Sequence, residues 1–484
     1  MTEDLARTAT RGASVTLVAQ AVKLVFQVVS IVVLARLLTP SDYGLVAIVL
    51  VVVGFGELFR DFGLSTAAIQ AKSLSVVQRD NLFWLNTVIG VVLTVIVFGI
   101  SFPLGLWMHE PEVVGITQVL SVTFLVNALA TQHRASLARA LQFKKLAFLE
   151  LVAAVVAPVL AIVCALLGFG YWALVVQQLA SVGVLCVGVW IAAGWWPRWV
   201  KRAPMAGFVR FGWHLVASQV VNYAASNVST MIIGAQFGAA ALGLYNRAFQ
   251  LIQVPLNQIR SPLTSVAVPV LSRAREDQAT FDRMIVRSQL LLGYGVCTLL
   301  GLVAALPEPI IRLALGAQWM DGAVYLRFFA IGSVFQLLAF VGFWVYLSQG
   351  LTHILLRYNF VSAGIRIAAV LVGAIWGPQG IVIGLALASM VSWPISIWWL
   401  GRHTPIPTKL LYFGAGRVLV LLVVAAGAAM AVSGATTQLG NVWQPVIAAT
   451  TYIAVCVIAL SIPSYKQDFK GILALRRHLT SKKG

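Results

Sequence analysis

The chain has 484 residues, 60 % of them hydrophobic and only 10 % charged, and a mean hydropathy of +0.91. Soluble chains carry roughly 25 % charged residues and spread them over their surface, so a cytosolic enzyme, a secreted disulfide scaffold, a disordered tail protein and a nucleic-acid-binding domain are all excluded. The net charge of +19 then has a simpler source, basic loops retained on one side of a membrane.

Arg7 and Arg11 precede an apolar stretch from Gly12 to Leu38, too long for a signal peptide and read as a first span. A span needs about 20 mostly apolar residues. Polar or turn-forming breaks divide the chain into fourteen such helices, over 12–38, 43–69, 81–107, 115–136, 148–168, 171–194, 209–236, 243–268, 286–306, 322–346, 358–376, 380–400, 411–433 and 444–462. The fold class is an all-α polytopic membrane protein. With the N-terminus inside, the inner segments hold 25 of the 34 Lys and Arg, and the outer connections hold two, Arg36 and Arg312. The asymmetry places both termini in the cytoplasm. Trp84, Trp107, Trp195, Trp196, Trp199, Trp319 and Trp443 fall at span ends, where an amphipathic ring suits the interface. The basic tail alternates with Phe469, Ile472, Leu473 and Leu479 and reads as an amphipathic segment on the inner leaflet. Cys164, Cys186, Cys297 and Cys456 sit in apolar runs and read as buried thiols.

An internal duplication is visible. At an offset of 199, "LVAQAV" at 17–22 lies over "VASQVV" at 216–221 and Gly44-Leu45 over Gly243-Leu244. At an offset of 210, "LARAL" at 137–141 lies over "LSQGL" at 347–351 and Gly170 over Gly380. Six helices per repeat is an even number, so the repeats are parallel, related by an axis along the membrane normal. The expected organisation is an N-terminal lobe at 1–200 (helices 1–6), a C-terminal lobe at 201–405 (helices 7–12), helices 13–14 at 406–462 and a basic tail at 463–484, with a cavity between the lobes.

Polar residues forbidden by hydropathy mark that cavity. Thr16, Gln20, Lys23, Gln27 and Ser30 recur at spacings of four and three on one face of the first helix. Gln219, Asn222, Ser226 and Ser229 do the same on the seventh, and Gln250, Gln253, Asn257, Arg260 and Thr264 on the eighth, with Arg247 on a neighbouring face. The second helix adds Glu57, Arg60 and Asp61. Seven cations lie within spans: Lys23, Arg60, Arg247, Arg260, Arg327, Arg366 and Arg417. Each costs roughly 2.5–3.5 kcal/mol at mid-bilayer, on the order of 20 kcal/mol together, more than a typical fold's stability. Most must therefore line water or find partners. Arg60 can pair with Glu57, while Arg366 and Arg417 can snorkel, and Arg417, outside the repeat, is expected to tolerate alanine. Arginine forks suit phosphate or pyrophosphate, and amides and hydroxyls suit sugars. The candidate substrate site is Gln20, Lys23, Gln27, Arg60, Asp61, Gln219, Asn222, Arg247, Gln250, Gln253, Asn257 and Arg260.

The blocks "LARLLTPSDYGLVAIVLVVVGFGELFRDFGLSTAAIQ", "QRDNLFWLN", "GFGYWALVVQQL" and "LGLYNRAFQLIQVPLNQI" resemble bacterial polysaccharide-export flippases of the multidrug/oligosaccharidyl-lipid/polysaccharide transporter superfamily. The resemblance covers residues 12 to about 400. It implies a two-lobed alternating-access transporter that moves an undecaprenyl-pyrophosphate-linked oligosaccharide from the inner to the outer leaflet for surface polysaccharide synthesis, with helices one, two, seven and eight lining the cavity. It implies no catalysis and no cofactor; a coupling cation, Na+ or H+, is left open. Expected partners are the polyprenyl-linked oligosaccharide, membrane lipids, and a polysaccharide polymerase with its export machinery, and no nucleic acid. Two rivals remain: an ion-coupled multidrug exporter of the same superfamily, disfavoured by the excess of bases over acids in the spans, and a membrane glycosyltransferase or polymerase, disfavoured by short outer connections without paired carboxylates.

Overall fold

The described secondary structure is helical throughout. The structure, a computed structural model, describes residues 25–61, 75–199, 206–436, 438 and 440–481, without the side chains of 61, 206–219, 221–222, 225, 441–442 and 473–481. In chain order the helices are α1 (Val25–Leu37), α2 (Pro40–Asp61), α3 (Val76–Met108), α4 (Glu112–Arg139), α5 (Phe143–Leu166), α6 (Trp172–Ala193), α7 (Ala206–Ala274), α8 (Gln278–Leu292), α9 (Thr298–Ala305), α10 (Pro307–Ala314), α11 (Ala323–Ser348), α12 (Thr352–Ala374), α13 (Gly377–His403), α14 (Thr408–Ala435), α15 (Gly440–Ala459) and α16 (Pro463–Ser481). A π turn, Gly293–Cys297, joins α8 to α9.

Among the described residues eleven helical segments are long and apolar enough to cross a membrane, or twelve if the bent α15–α16 pair is one span, against the fourteen expected. The first expected span is described only from residue 25. The seventh and eighth run together through α7, broken only at Gly238, whose φ of 79° and ψ of 177° are non-helical. A positive φ there suits glycine because no Cβ opposes it. Apolar side chains cover the outside of these helices, with Leu106, Ile191 and Leu313 all more than three-quarters exposed, as a bilayer solvent requires. The chain is a multi-pass membrane protein.

The chain divides into two compact units, Met1–Asn246 and Arg247–Gly484. In the first, Ser75 and Gln78 form a reciprocal capping box at the start of α3, satisfying donors that a helix leaves free. Where α2 meets α7 the backbones touch. A Cβ on Gly44 would stand 1.7 Å from the Ala239 carbonyl oxygen, and one on Gly243 would stand 1.8 Å from that of Pro40. The 199-residue offset carries Pro40 onto Ala239 and Gly44 onto Gly243. The crossing is therefore reciprocal, each repeat element offering the same glycine to the other's equivalent residue, as at a two-fold contact. Tyr223 of α7 donates to the Val51 carbonyl at 2.9 Å beside Gly54.

The start of α3, the later part of α4, the end of α6 and the segment after it hold an aromatic cluster. His133 stacks between Trp190 and Trp195 at 4.3 and 4.1 Å, and Phe83 meets all three edge-on. The fully buried Asp80 accepts from Arg79 at 2.9 Å and from the Arg198 backbone N–H at 3.2 Å. This corrects the interfacial reading for two tryptophans. Trp195 is packed in this cluster and Trp319 is 1 % exposed, whereas Trp107, Trp196, Trp199 and Trp443 are exposed as expected. Proximity to a span end does not say which way an indole points.

In the second unit α8, α11, α13 and α14 share a core around Phe281, Ile285, Val345 and Leu400. The tail helix α16 turns 89° from α15. It docks on the π turn after α8 and on α14: Asp468 accepts from Arg417 at 2.7 Å and from the Tyr294 hydroxyl at 2.9 Å. Arg417 is thus an ion-pair partner rather than a free snorkelling base.

Candidate functional site

The intramembrane cations find different environments. In the first unit Arg60 lies one turn from Glu57 on α2 and donates to its carboxylate, to the Thr131 hydroxyl and to the Asn127 carbonyl of α4. Asn127 in turn donates to the other Glu57 oxygen at 2.9 Å. The i, i+3 spacing explains the first pair, and Asn127, Thr131 and Arg134 recur at spacings of four and three along α4. The network borders a cavity of about 450 Å³ that is also lined by the Arg134–Glu150 ion pair. Gln27 is half-buried on α1, near the buried Ser30.

The second unit carries the polar stripe of α7. Arg247, 8 % exposed, donates to Gln250 at 2.9 Å. Gln253 reaches the Ser333 hydroxyl of α11 at 3.5 Å, and Ser333 is itself buried. Asn257 is exposed. Arg260 lies with its guanidinium carbon 5.3 Å from the Phe340 ring, a cation–π approach. Its Nε is buried without a hydrogen-bond partner. One turn on, Thr264 donates back to the Arg260 carbonyl at 2.8 Å and accepts from Trp344 at 3.0 Å, fixing this stretch of α7 against α11. Pro255 and Pro262 flank Arg260 and remove two intrahelical hydrogen bonds.

The structure thus brings together Arg60, Glu57, Asn127 and Thr131 in one unit, and Arg247, Gln250, Gln253 and Arg260 along one helix in the other. Gln20 and Lys23 lie outside the described residues, as do the side chains of Asp61, Gln219 and Asn222. Sequence reasoning missed Asn127, Thr131, Ser333 and Phe340. The α4 stripe carried a signal at helical spacing, but Phe340 sits in an apolar run with nothing to single it out. Of the remaining cations, Arg327 donates to the Ala304 carbonyl at 3.2 Å and Arg366 is exposed.

A family described as "Polysaccharide biosynthesis protein" matches residues 33–324. The lipopolysaccharide biosynthesis protein WzxC of Escherichia coli K12 is 25 % identical over 446 residues, covering 84 % of this chain and 87 % of its own. The teichuronic acid biosynthesis protein TuaB of Bacillus subtilis is 25 % identical over 330 residues, covering 65 % and 66 %. Among solved structures, the lipid II flippase MurJ in an inward closed conformation superposes with a TM-score of 0.73 at 13 % identity, over 94 % of this chain and 99 % of that one. An inward-facing multidrug MATE transporter superposes at 0.59 and 15 % identity, over 81 % and 95 %. At these identities the two structures speak for the fold.

Proposed function

Because the chain belongs to the polysaccharide biosynthesis protein family, we propose that it is a flippase for an undecaprenyl-pyrophosphate-linked oligosaccharide. It moves this cargo from the inner to the outer leaflet by alternating access, in the bacterial inner membrane, with both termini cytoplasmic. The supply of outer-leaflet glycan serves a polysaccharide polymerase and its export machinery. A relative named for lipopolysaccharide biosynthesis and a structural neighbour named as a lipid II flippase support the reading.

Arg260 carries it. A guanidinium nitrogen buried in a membrane span without an acceptor is expensive. A pyrophosphate supplies the missing acceptor through charge-assisted hydrogen bonds, stronger in a low-dielectric site than in water. The amides of Gln250, Gln253 and Asn257 on the same stripe suit sugar hydroxyls. An organic cation would instead meet like charge from Arg260 on this stripe.

The test is twofold. Mass spectrometry of lipid co-purified with the protein is expected to find a polyprenyl glycolipid in the wild type and far less in Arg260→Ala. Export of surface glycan is expected to fall sharply in Arg260→Ala and Lys23→Ala with membrane insertion unchanged. Wild-type export by both variants, or a co-purified drug-like cation, overturns the assignment.

A further inference from the structure

A second polar cleft, of about 270 Å³, opens within the Arg247–Gly484 unit between α11, α12 and α13. Arg260 does not line it, although Phe340, which Arg260 approaches, forms part of its wall. The cleft runs from the middle of these helices, at Gln336, Arg366 and Ser389, toward their ends at Ser348, Thr352 and His403.

Two of its polar groups have no partner. Tyr346 is 1 % exposed and its hydroxyl is buried without a hydrogen bond, and the Trp393 indole Nε1 is likewise buried and unmatched. A buried donor left unpaired costs about 1–3 kcal/mol, so each such group calls for an explanation. Neighbouring groups are better served. Gln336 donates to Ser389 at 3.2 Å, and Tyr358 to the Ser392 carbonyl at 3.1 Å. Asn359 and Ser362 line the same space, and the exposed Arg366 stands on its rim with no carboxylate among the lining residues.

The chemistry selects a ligand class. Phe343 and Trp393 line it with aromatic rings, its amides and hydroxyls match a ring of sugar hydroxyls, and Tyr346 and Trp393 hold unpaired donors in its wall. Arg366 supplies a fork for a carboxylate. Ligand pockets usually span about 300–1,000 Å³, so this one admits a single ring and not an oligosaccharide. A phospholipid head group would use the arginine but would leave the sugar-like ring of amides and hydroxyls unused.

We infer that this cleft binds one acidic sugar residue, a uronic acid, with its carboxylate on Arg366 and its ring against Trp393. The inference rests on the reading of the cargo as a lipid-linked glycan and adds a sugar-specific subsite separate from the pyrophosphate contact at Arg260.

The experiment uses the full chain in phosphatidylcholine nanodiscs and saturation-transfer NMR with methyl glucuronide and methyl glucoside as probes. The wild type is expected to bind the glucuronide about tenfold more tightly, the equivalent of one charge-assisted hydrogen bond. Arg366→Gln is expected to erase that preference, Tyr346→Phe to weaken both sugars several-fold, and Arg312→Gln, at an exposed base on α10 away from the cleft, to leave the preference intact. Absence of saturable binding, or a preference that survives Arg366→Gln, overturns the inference. So does an Arg366-dependent response to added phosphatidylglycerol without glucuronide binding, which would assign the cleft to bilayer lipid. Because Arg260→Ala reports on export and Arg366→Gln on sugar preference, failure here is distinguishable from failure of the flippase reading.

Discussion

Arg417 on α14 and Asp468 on α16 are joined at 2.7 Å, and the same carboxylate accepts from the Tyr294 hydroxyl at 2.9 Å. Asp468 is 9 % exposed on its side chain and Arg417 39 %. One acidic residue in a basic tail therefore ties that tail to two spans. The Tyr465 hydroxyl adds a bond to the Arg417 carbonyl at 3.2 Å.

Breaking the pair is expected to loosen α16 without stopping transport. Arg417→Ala and Asp468→Asn should each destabilise the docked tail by about 1–2 kcal/mol, less than a fully buried charged hydrogen bond because Arg417 is partly exposed. The double variant should lose less than the sum of the two. Limited proteolysis at the Lys466–Lys470 segment reads the detachment. Additive effects, or unchanged protease resistance in both single variants, would show that the pair does not hold the tail.

The reciprocal glycines of α2 and α7 give a steric prediction. Gly44→Ala and Gly243→Ala each put a methyl group within 2 Å of a backbone oxygen, which no side-chain rotation relieves. The helices must separate, at a cost of about 1–3 kcal/mol or more. Gly99→Ala on α3, where nothing lies within 4 Å of the added Cβ, is the control and should be neutral or slightly stabilising. Thermal melts of the three variants in detergent decide the matter. Equal melting temperatures would rule out the close crossing.

Asp277 gives a pH prediction outside the spans. It caps α8, accepting from the Thr280 backbone N–H at 3.2 Å and from its hydroxyl at 2.6 Å, and these bonds hold its carboxyl below the usual carboxylate range. A group depressed in the folded state stabilises above its unfolded pKa of about 3.9, and that contribution is lost as pH falls through the folded value. Wild type and Asp277→Ala should therefore differ in stability at neutral pH and converge in strong acid. A stability difference that grows on acidification would contradict the cap.

Much of the architecture was legible because hydropathy and charge asymmetry are properties of single segments. The stripe from Gln250 to Arg260 could be read from spacing alone, since helical periodicity fixes which residues share a face. Partners could not. Arg60 meets Thr131 across 71 residues and Arg417 meets Asp468 across 51, and nothing local encodes either meeting. The π turn at Gly293–Cys297 and the continuous run of α7 likewise come from packing, which overrides segment-by-segment reading. Trp319 shows the same limit, since its burial is decided by neighbours and not by its place at a span end.

Arg60 and Arg260 should respond oppositely to the same substitution. Arg60 has a carboxylate, a hydroxyl and a carbonyl as acceptors, so its charge is compensated within the fold. Arg60→Met strands Glu57 with Asn127 as its remaining partner and is expected to cost about 1–3 kcal/mol of stability. Arg260 buries Nε with no acceptor, beside the Phe340 ring. Methionine there keeps an unbranched apolar stem and removes the unmatched donor, so Arg260→Met should leave stability unchanged or raise it. The same change should abolish export, because the group that burdens the resting protein is the one that holds cargo, the usual trade between stability and function. Arg260→Lys should keep part of the export, since it retains the charge and loses the fork. Melting temperature and glycan export, measured on the same three variants, separate the two roles. If Arg260→Met melts well below the wild type while Arg60→Met does not, Arg260 is a structural residue and the cargo contact lies elsewhere.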